Sequence, residues 1–203
     1  MINIITGRPG SGKTYVLTRY ALEYLKKGLQ VYSNYKINWE GDNLHYWLDT
    51  KDLRDVENGI IIMDEAHVYF NSRRWDNLST DMQRKLQQHR KEGLHIWGSC
   101  QHEARIDVVF RELVSSFYQC KKMITSRENA KKPFGLICVS QYYPEDLKSQ
   151  DKKAFSRKYY TIKKKYCEAY NTLEKIDVPP QEGKQPAFVE TCKECGKSKF
   201  TRA

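Results

Sequence analysis

An eight-residue run near the N-terminus has residue types and spacing suited to phosphate binding. Residues 7–14 read GRPGSGKT and match the P-loop (Walker A) pattern G-x-x-x-x-G-K-[ST] at every fixed position. Its glycines let backbone N–H groups surround a phosphate, and the helix that follows directs its positive end at the same anion. The alternative is an ordinary glycine-rich turn. The run predicts ATP contacts from Gly7, Arg8, Pro9, Gly10, Ser11, Gly12, Lys13, Thr14 and Tyr15.

Two of these residues have individual expected roles. Lys13 is expected to reach the β- and γ-phosphates, and the Thr14 hydroxyl is expected to bind Mg²⁺.

A pair of carboxylates follows the most apolar segment of the chain. Residues 59–63 (GIIIM) have the continuous apolar pattern of a strand buried on both faces, and Asp64 and Glu65 come directly after it. This Walker B arrangement predicts that Asp64 binds Mg²⁺ and that Glu65 orients and deprotonates the attacking water. The alternative is a solvated strand end. His67 completes the letters DEAH, and we interpret it as a local hydrogen-bonding residue rather than a ligand.

A third polar position follows another predicted strand. Residues 94–100 (LHIWGSC) are strand-like and are followed by Gln101. Ligands of parallel sheets lie beyond the carboxyl ends of the strands, so Gln101 is expected to sense the γ-phosphate or to position water. A plain surface glutamine is the alternative.

The elements that must position these residues alternate along the chain. Strands are predicted at 1–6, 29–35, 59–63, 94–100 and 116–123, and helices at 15–27, 79–92 and 108–114, with a turn and short helix in 38–55. This alternation predicts an α/β core with a mostly parallel sheet over about residues 1–125. Strands predicted at 134–143 and 159–166 form a basic, β-rich extension over about 126–176. Residues 177–203 are predicted to be a flexible tail.

Charge is distributed unevenly along the 203 residues, which carry a formal net charge of +10. Residues 1–130 contain 19 Lys and Arg against 16 Asp and Glu, whereas residues 131–203 contain 16 against 9. A basic C-terminal part suggests a polyanion partner, although a solvated Lys-rich surface would have the same composition. A mean hydropathy of -0.77, with no apolar run long enough to cross a bilayer, favours a soluble cytoplasmic protein.

Aromatic residues lie among the basic residues between Lys148 and Lys165. Tyr159 and Tyr160 lie within this stretch, and Tyr166 directly follows it. Basic residues interleaved with aromatics are typical of a groove that follows a nucleic-acid backbone and stacks its bases. The alternative is an edge strand with tyrosines on the core face and lysines at the exposed edge.

Six cysteines are present, and two of them are spaced like metal ligands. Cys192 and Cys195 form a C-x-x-C pair, which is half of a typical four-ligand zinc site. The open alternatives are a site shared between chains, a site completed by a distant residue such as Cys167, or no metal. The other four are interpreted as reduced core thiols: Cys100, Cys120, Cys138 and Cys167.

The order of these motifs resembles the FtsK–HerA superfamily of DNA-pumping ATPases. The resemblance is strongest to its zonula-occludens-toxin-like branch, known from filamentous phages, and to small viral genome-packaging ATPases. It covers roughly residues 1–176 and rests on GRPGSGKTY (7–15), IIIMDEAH (60–67), QHRKEGLHIWGSCQ (88–101) and AYNTLEKI (169–176).

The resemblance implies a RecA-like core with helices on both faces of the sheet, assembled into a ring that is commonly a hexamer. Nucleotide would then lie between subunits, and Arg90 would reach the neighbour's site and offset charge on the transferred phosphoryl group. Arg73 and Arg74 are second candidates for this role. The alternative for Arg90 is a charge that caps a helix C-terminus.

The resemblance also implies the function and the partners. Proteins of the toxin-like branch often continue into a membrane span, and this sequence does not, which favours a packaging motor in the host cytoplasm or on the virion. The leading expectation is a Mg²⁺-dependent ATPase that moves DNA without sequence preference. The alternative is a phage assembly or extrusion ATPase that acts at the inner membrane with a partner protein. A small-molecule kinase and a non-hydrolysing nucleotide-binding protein are further alternatives.

Overall fold

Eight strands form one sheet with the order β3-β2-β4-β5-β1-β6-β7-β8. The computed structural model describes residues 1–70, 80–125, 135–146, 153–171, 189–191 and 198–200. The strands are β1 (Ile2–Thr6), β2 (Val31–Ser33), β3 (Leu44–Tyr46), β4 (Ile60–Met63), β5 (His95–Cys100), β6 (Ser116–Thr125), β7 (Gly135–Tyr142), β8 (Ser156–Thr161), β9 (Val189–Thr191) and β10 (Ser198–Phe200). The α-helices are α1 (Lys13–Leu25), α2 (Thr80–Gln88), α3 (Val108–Leu113) and α4 (Lys164–Cys167).

The direction of the strands determines where the polar residues meet. Strands β3, β2, β4, β5, β1 and β6 are parallel, whereas β7 and β8 are antiparallel additions beside β6. Strand β5 lies between β1 and β4. The segments that follow β1, β4 and β5 therefore all emerge at the same carboxyl edge of the sheet, as ligand-binding sites of parallel sheets require.

Alternating side chains of the parallel strands face two separate cores. Ile4 and Ile61 pack with residues of α2 and α3 on one face. Ile5 and Ile62 pack with α1 on the other face. Helices therefore cover both faces of the sheet, and the predicted α/β class is confirmed.

The short edge strand β3 was not predicted. Residues 38–55 were expected to be a turn and a short helix, but they contain β3, parallel to β2, followed by a 3-10 turn at Thr50–Leu53. Only the 3-10 turn matches the expectation. Three residues are too few to show period-two alternation, and pairing with β2 defines the strand.

The predicted strand over 159–166 was wrong in its second half. Strand β8 ends at Thr161, and residues 164–167 form the short helix α4. The alternation of lysines and tyrosines suggested a continuous strand. Tyr166 is instead buried against the α1 side of the sheet, which requires the chain to turn after β8.

The β-rich extension continues the sheet of the core. Tyr160 lies against α1, where its hydroxyl is 2.9 Å from that of Tyr20, and Tyr166 is buried. These two tyrosines therefore fit the edge-strand interpretation rather than the stacking one. Tyr159 is 58% exposed and remains free to stack.

Two short strands lie within the predicted tail. Strands β9 and β10 pair antiparallel, and the C-x-x-C residues Cys192 and Cys195 lie outside the described residues. Among the residues described, no helix has the length and apolarity needed to cross a membrane.

We expect Phe110→Ala to destabilise the core on the α2–α3 face. The ring of Phe110 is fully buried and stacks on Phe70 with centroids 4.2 Å apart. Removing a buried aromatic ring should lower the free energy of unfolding by about 3–5 kcal/mol, as measured by urea denaturation. Val108→Ala is the matched control, since Val108 is on the same helix and is 53% exposed. Equal stability of the two variants would contradict this packing.

Candidate nucleotide-binding site

The P-loop connects β1 to α1 in a conformation that requires glycine at two positions. Gly12 has a φ of 93°, and a Cβ there would lie 2.6 Å from Cδ1 of Ile137. A Cβ on Gly7 would lie 2.5 Å from the carbonyl oxygen of Cys120. The loop thus lies directly on residues of β6 and β7, and larger side chains are excluded by contact as well as by backbone conformation.

Lys13 is folded onto its own loop. Its Nζ donates hydrogen bonds to the carbonyl oxygens of Gly7 at 3.1 Å and Arg8 at 3.3 Å, and the side chain is buried. Within the described part of the chain its hydrogen-bond acceptors are these carbonyls, which the ammonium can exchange for phosphate oxygens without moving its backbone. Phosphate binding by Lys13 stays a prediction.

The Thr14 hydroxyl and the Asp64 carboxylate meet across the carboxyl edge. Thr14 Oγ1 donates to Asp64 Oδ2 at 2.9 Å, although the two residues are 50 positions apart in the sequence. Hydroxyl and carboxylate oxygens are the ligand types that Mg²⁺ prefers. The two predicted Mg²⁺ ligands are therefore brought together, and their chemistry fits the ion.

Two residues that the sequence analysis missed hold Asp64 in place. The side-chain amide of Asn34 accepts from the Asp64 N–H at 2.8 Å and donates to the Asp64 carbonyl at 2.9 Å. The Ser99 hydroxyl donates to Asp64 Oδ1 and accepts from the Glu65 N–H at 3.2 Å. Asn34 follows β2 and Ser99 is near the end of β5, the two neighbours of β4. A search for polar residues at the ends of adjacent strands would have found both.

Glu65 has an uncommon backbone conformation. Its φ of 51° and ψ of 48° are left-handed, a conformation that costs a non-glycine residue about 1–3 kcal/mol and is concentrated at functional sites. Its Oε2 lies 3.1 Å from Nδ1 of His67, without the alignment of a hydrogen bond. The Glu65 N–H donates to Asp64 Oδ1 at 3.2 Å, so the backbone of this turn adjoins the predicted Mg²⁺ ligand Asp64.

Gln101 follows β5, the strand between β1 and β4. Its carbonyl oxygen accepts a 3.4 Å hydrogen bond from the Gly7 N–H. It lines a cleft of about 680 Å³ whose walls include residues 6–11, residues 101–103 and the middle of β6. The cleft is the right size for part of a nucleotide, and its lining includes His102, Gln119, Lys121, Lys122 and Tyr142.

Arg90 lies at the opposite edge of the sheet. It is exposed in the turn before β5. Burial first, and then the charge of Arg90, lower the pKa of the Met1 amine, which lies where β1 begins. The length of β5, about 20 Å, separates this edge from the P-loop. Arg90 therefore cannot reach the site of its own chain. The second candidates, Arg73 and Arg74, lie outside the described residues.

The side chain of Tyr15 does not face the loop. It is only 3% exposed, and its hydroxyl bonds to backbone groups of Thr161 and Lys163. If Tyr15 contacts ATP, as the sequence predicts, the contact can therefore come only from its backbone.

The cysteines show no metal chemistry within the described ranges. Cys100, Cys120 and Cys138 are buried and reduced, and burial raises the pKa of Cys100 to about 12 and of Cys120 to about 11. Cys167 is exposed, so its expected place in the core was wrong. No group of three or more His, Cys, Asp or Glu residues suited to a metal is present in the part of the chain that the structure describes.

Comparison with known proteins agrees with this geometry. The model of the zonular occludens toxin (Zot) family matches residues 39–134. The N-terminal domain of zonular occludens toxin from Neisseria meningitidis is similar in structure, with a TM-score of 0.54 and 21% identity over 84% of this chain and 98% of that one. A comparison with curated proteins gave no match.

A second group of solved structures is also similar. The genome packaging NTPase B204 from Sulfolobus turreted icosahedral virus 2, in complex with ATP-gammaS, has a TM-score of 0.51 and 14% identity over 78% of this chain and 95% of that one. The chain therefore has the fold of the P-loop NTPases, and its resemblance to Zot-like and viral genome-packaging ATPases is confirmed.

Proposed function

We propose that this protein is a Mg²⁺-dependent ATPase that moves DNA during the packaging of a viral genome. The contact between Thr14 and Asp64 carries the proposal, because it joins the phosphate loop to an acidic strand end at one edge of the sheet. The similarity to a genome packaging NTPase solved with an ATP analogue supports the same activity.

The residues of this edge have separate roles in the proposed hydrolysis. Lys13 and the loop amides bind the β- and γ-phosphates, and Thr14 and Asp64 would hold Mg²⁺. When bound, this ion neutralises charge on the phosphate oxygens. Glu65 accepts a proton from water as the water oxygen bonds to the γ-phosphorus, and the bond from that phosphorus to the β–γ bridging oxygen breaks to release ADP. Gln101 responds to the presence of the γ-phosphate.

Completion of the site requires a second subunit. Arg90 is exposed at the edge opposite its own P-loop, so in a ring it is available to the neighbour's nucleotide. There its guanidinium offsets charge on the transferred phosphoryl group. We propose a homo-oligomeric ring, most simply a hexamer, with one nucleotide at each interface.

The basic segment, residues 153–171, is the proposed DNA contact. Its lysines and arginine are exposed before, on and after the edge strand β8, with Tyr159 exposed among them. Phosphate contacts of this kind bind DNA without reading its sequence, as a translocating motor requires.

A second candidate is favoured by the match to the Zot family model at residues 39–134. In this case the same ATPase chemistry drives the assembly or extrusion of a phage at the inner membrane, with a partner protein as the membrane anchor. Both candidates place the protein in the host cell. The division into an ATPase domain at 1–176 and a tail at 177–203, and zinc binding by Cys192 and Cys195, stay predictions.

We expect Lys13→Ala and Glu65→Gln to abolish ATP turnover for different reasons. Lys13→Ala removes the cation that binds the phosphates, whereas Glu65→Gln removes the general base, and each loss should lower kcat by at least about 100-fold. Phosphate release measures turnover, and calorimetry should show that Glu65→Gln still binds ATP. Glu40→Gln, at an exposed acid far from the loop, is the control. Wild-type turnover of Glu65→Gln would exclude Glu65 as the base.

Arg90→Ala should also lose turnover, by about 10³-fold or more if it acts as an arginine finger. Mixing it with Glu65→Gln should restore part of the activity, because a P-loop from one variant can meet an intact Arg90 from the other. Random mixing leaves about one interface in four with both groups intact. No recovery at any mixing ratio would contradict a role in the neighbouring site.

DNA binding should depend on salt through the basic segment. The double substitution Arg157→Ala/Lys158→Ala should weaken binding for all sequences and lower the slope of log K against log salt by about 1–2. Fluorescence anisotropy at several salt concentrations measures this slope. Lys26→Ala/Lys27→Ala is a control of equal charge at the end of α1, and an equal loss in both variants would exclude a local DNA contact at β8.

A further inference from the structure

One side chain connects the phosphate-binding helix directly to the basic segment. Tyr15 comes immediately after Thr14, in the first turn of α1. Its hydroxyl donates to the carbonyl oxygen of Thr161 at 3.1 Å and accepts from the N–H of Lys163 at 3.0 Å. Residues 161–163 form the bend between β8 and α4, so one phenol pairs with two backbone groups of that bend.

The bend lies at the centre of the basic segment. Within residues 153–171 there are six basic residues and a single acid, Glu168, and all six basic side chains are exposed. Lys163 is part of the bend, and Lys164 and Lys165 directly follow it. A shift of the bend would therefore change how the basic residues are presented to a polyanion: Lys153, Arg157, Lys158, Lys163, Lys164 and Lys165.

The connection is short and rigid. Burial raises the pKa of the Tyr15 phenol, so the hydroxyl stays protonated and available as a donor. Its ring packs edge-to-face on Tyr166 of α4 with centroids 5.9 Å apart. A tyrosine side chain has only two torsions, χ1 and χ2, so a displacement of the Tyr15 backbone moves its hydroxyl by a similar distance.

A second tyrosine of the same helix provides the comparison. The Tyr20 hydroxyl lies 2.9 Å from the hydroxyl of Tyr160, also in the basic segment. Tyr20 is more than one turn farther along α1, however, and it contacts a side chain of β8 rather than the backbone of the bend. Tyr20 therefore also joins α1 to the basic segment, but it does not adjoin the phosphate site.

We infer that Tyr15 is a positioning residue that couples the occupancy of the nucleotide site to the DNA affinity of the basic segment. The inference rests on the proposed function for its DNA partner. Binding of phosphate and Mg²⁺ acts on the first turn of α1, and the Tyr15 hydroxyl passes the resulting shift to residues 161–163. Coupling of this kind is reciprocal, so DNA must change the affinity for nucleotide by the same factor.

The test compares DNA affinity with and without a non-hydrolysable ATP analogue and Mg²⁺, in the full chain. We expect wild-type protein to bind an oligonucleotide at least 5-fold more tightly with the analogue, within the usual range of coupling factors. In Tyr15→Phe this ratio should fall to about 1, whereas Tyr20→Phe should keep the wild-type ratio. Each ratio uses the two dissociation constants of one variant, so a change in intrinsic affinity alone does not alter it.

Hydrogen exchange gives a readout that needs no DNA. The amide of Lys163 donates to Tyr15, so exchange of a peptide covering 161–167 should change when the analogue binds to wild-type protein and should not respond in Tyr15→Phe. The inference would be overturned if the analogue leaves the DNA affinity of wild-type protein unchanged, or if Tyr15→Phe keeps the wild-type affinity ratio. It would also be overturned if Tyr20→Phe loses the ratio as fully as Tyr15→Phe, or if exchange of the wild-type peptide does not respond to the analogue.

The proposed function fails separately. If wild-type protein neither hydrolyses ATP nor binds DNA, the motor proposal is wrong, and the exchange experiment still shows whether Tyr15 connects the nucleotide site to the bend. If wild-type protein does both and Tyr15→Phe keeps its coupling, only the inference on Tyr15 is wrong.

Discussion

The hydrogen bond between Thr14 and Asp64 is the contact on which the rest of the site depends. It joins a helix that follows β1 to the end of β4, and β5 lies between these two strands. Such a contact requires that all three strands run in the same direction and end at the same level. The parallel core, with helices on both faces, satisfies this requirement.

The phosphate loop lies on the last strand of the core and on the first strand of the extension. The Cys120 thiol donates to the carbonyl of Ser11 at 3.1 Å, and Ile137 of β7 packs on Gly12. The expected division of core and extension near residue 125 therefore falls between two strands that both contact the loop. Removing the extension would expose the side of the phosphate loop that packs on Ile137, together with the sheet face that packs on α1. The core and the extension therefore depend on each other for their conformation.

The sequence predicted the parts of the site that are local in the chain. GRPGSGKT and the apolar strand before Asp64 each lie within a few residues, and both are where the patterns indicate. Asn34, Ser99 and β3 were missed because their significance comes from pairing with residues far away in sequence. The turn after β8 was missed for the same reason, since burial of Tyr166 against α1 overrides the strand-like alternation of residues 159–166.

The two edges of the sheet are the structural basis for the proposal that a second subunit completes the site. The phosphate loop, Asp64 and Glu65 lie at the carboxyl edge, whereas Arg90 is exposed at the amino edge about 20 Å away. At that distance Arg90 cannot contact a phosphate bound to its own P-loop. A head-to-tail assembly would bring the amino edge of one copy to the carboxyl edge of the next. In the proposed ring, each nucleotide would contact two subunits. The basic segment is bonded to α1 of its own subunit through Tyr15, so it would follow the subunit whose P-loop holds the nucleotide.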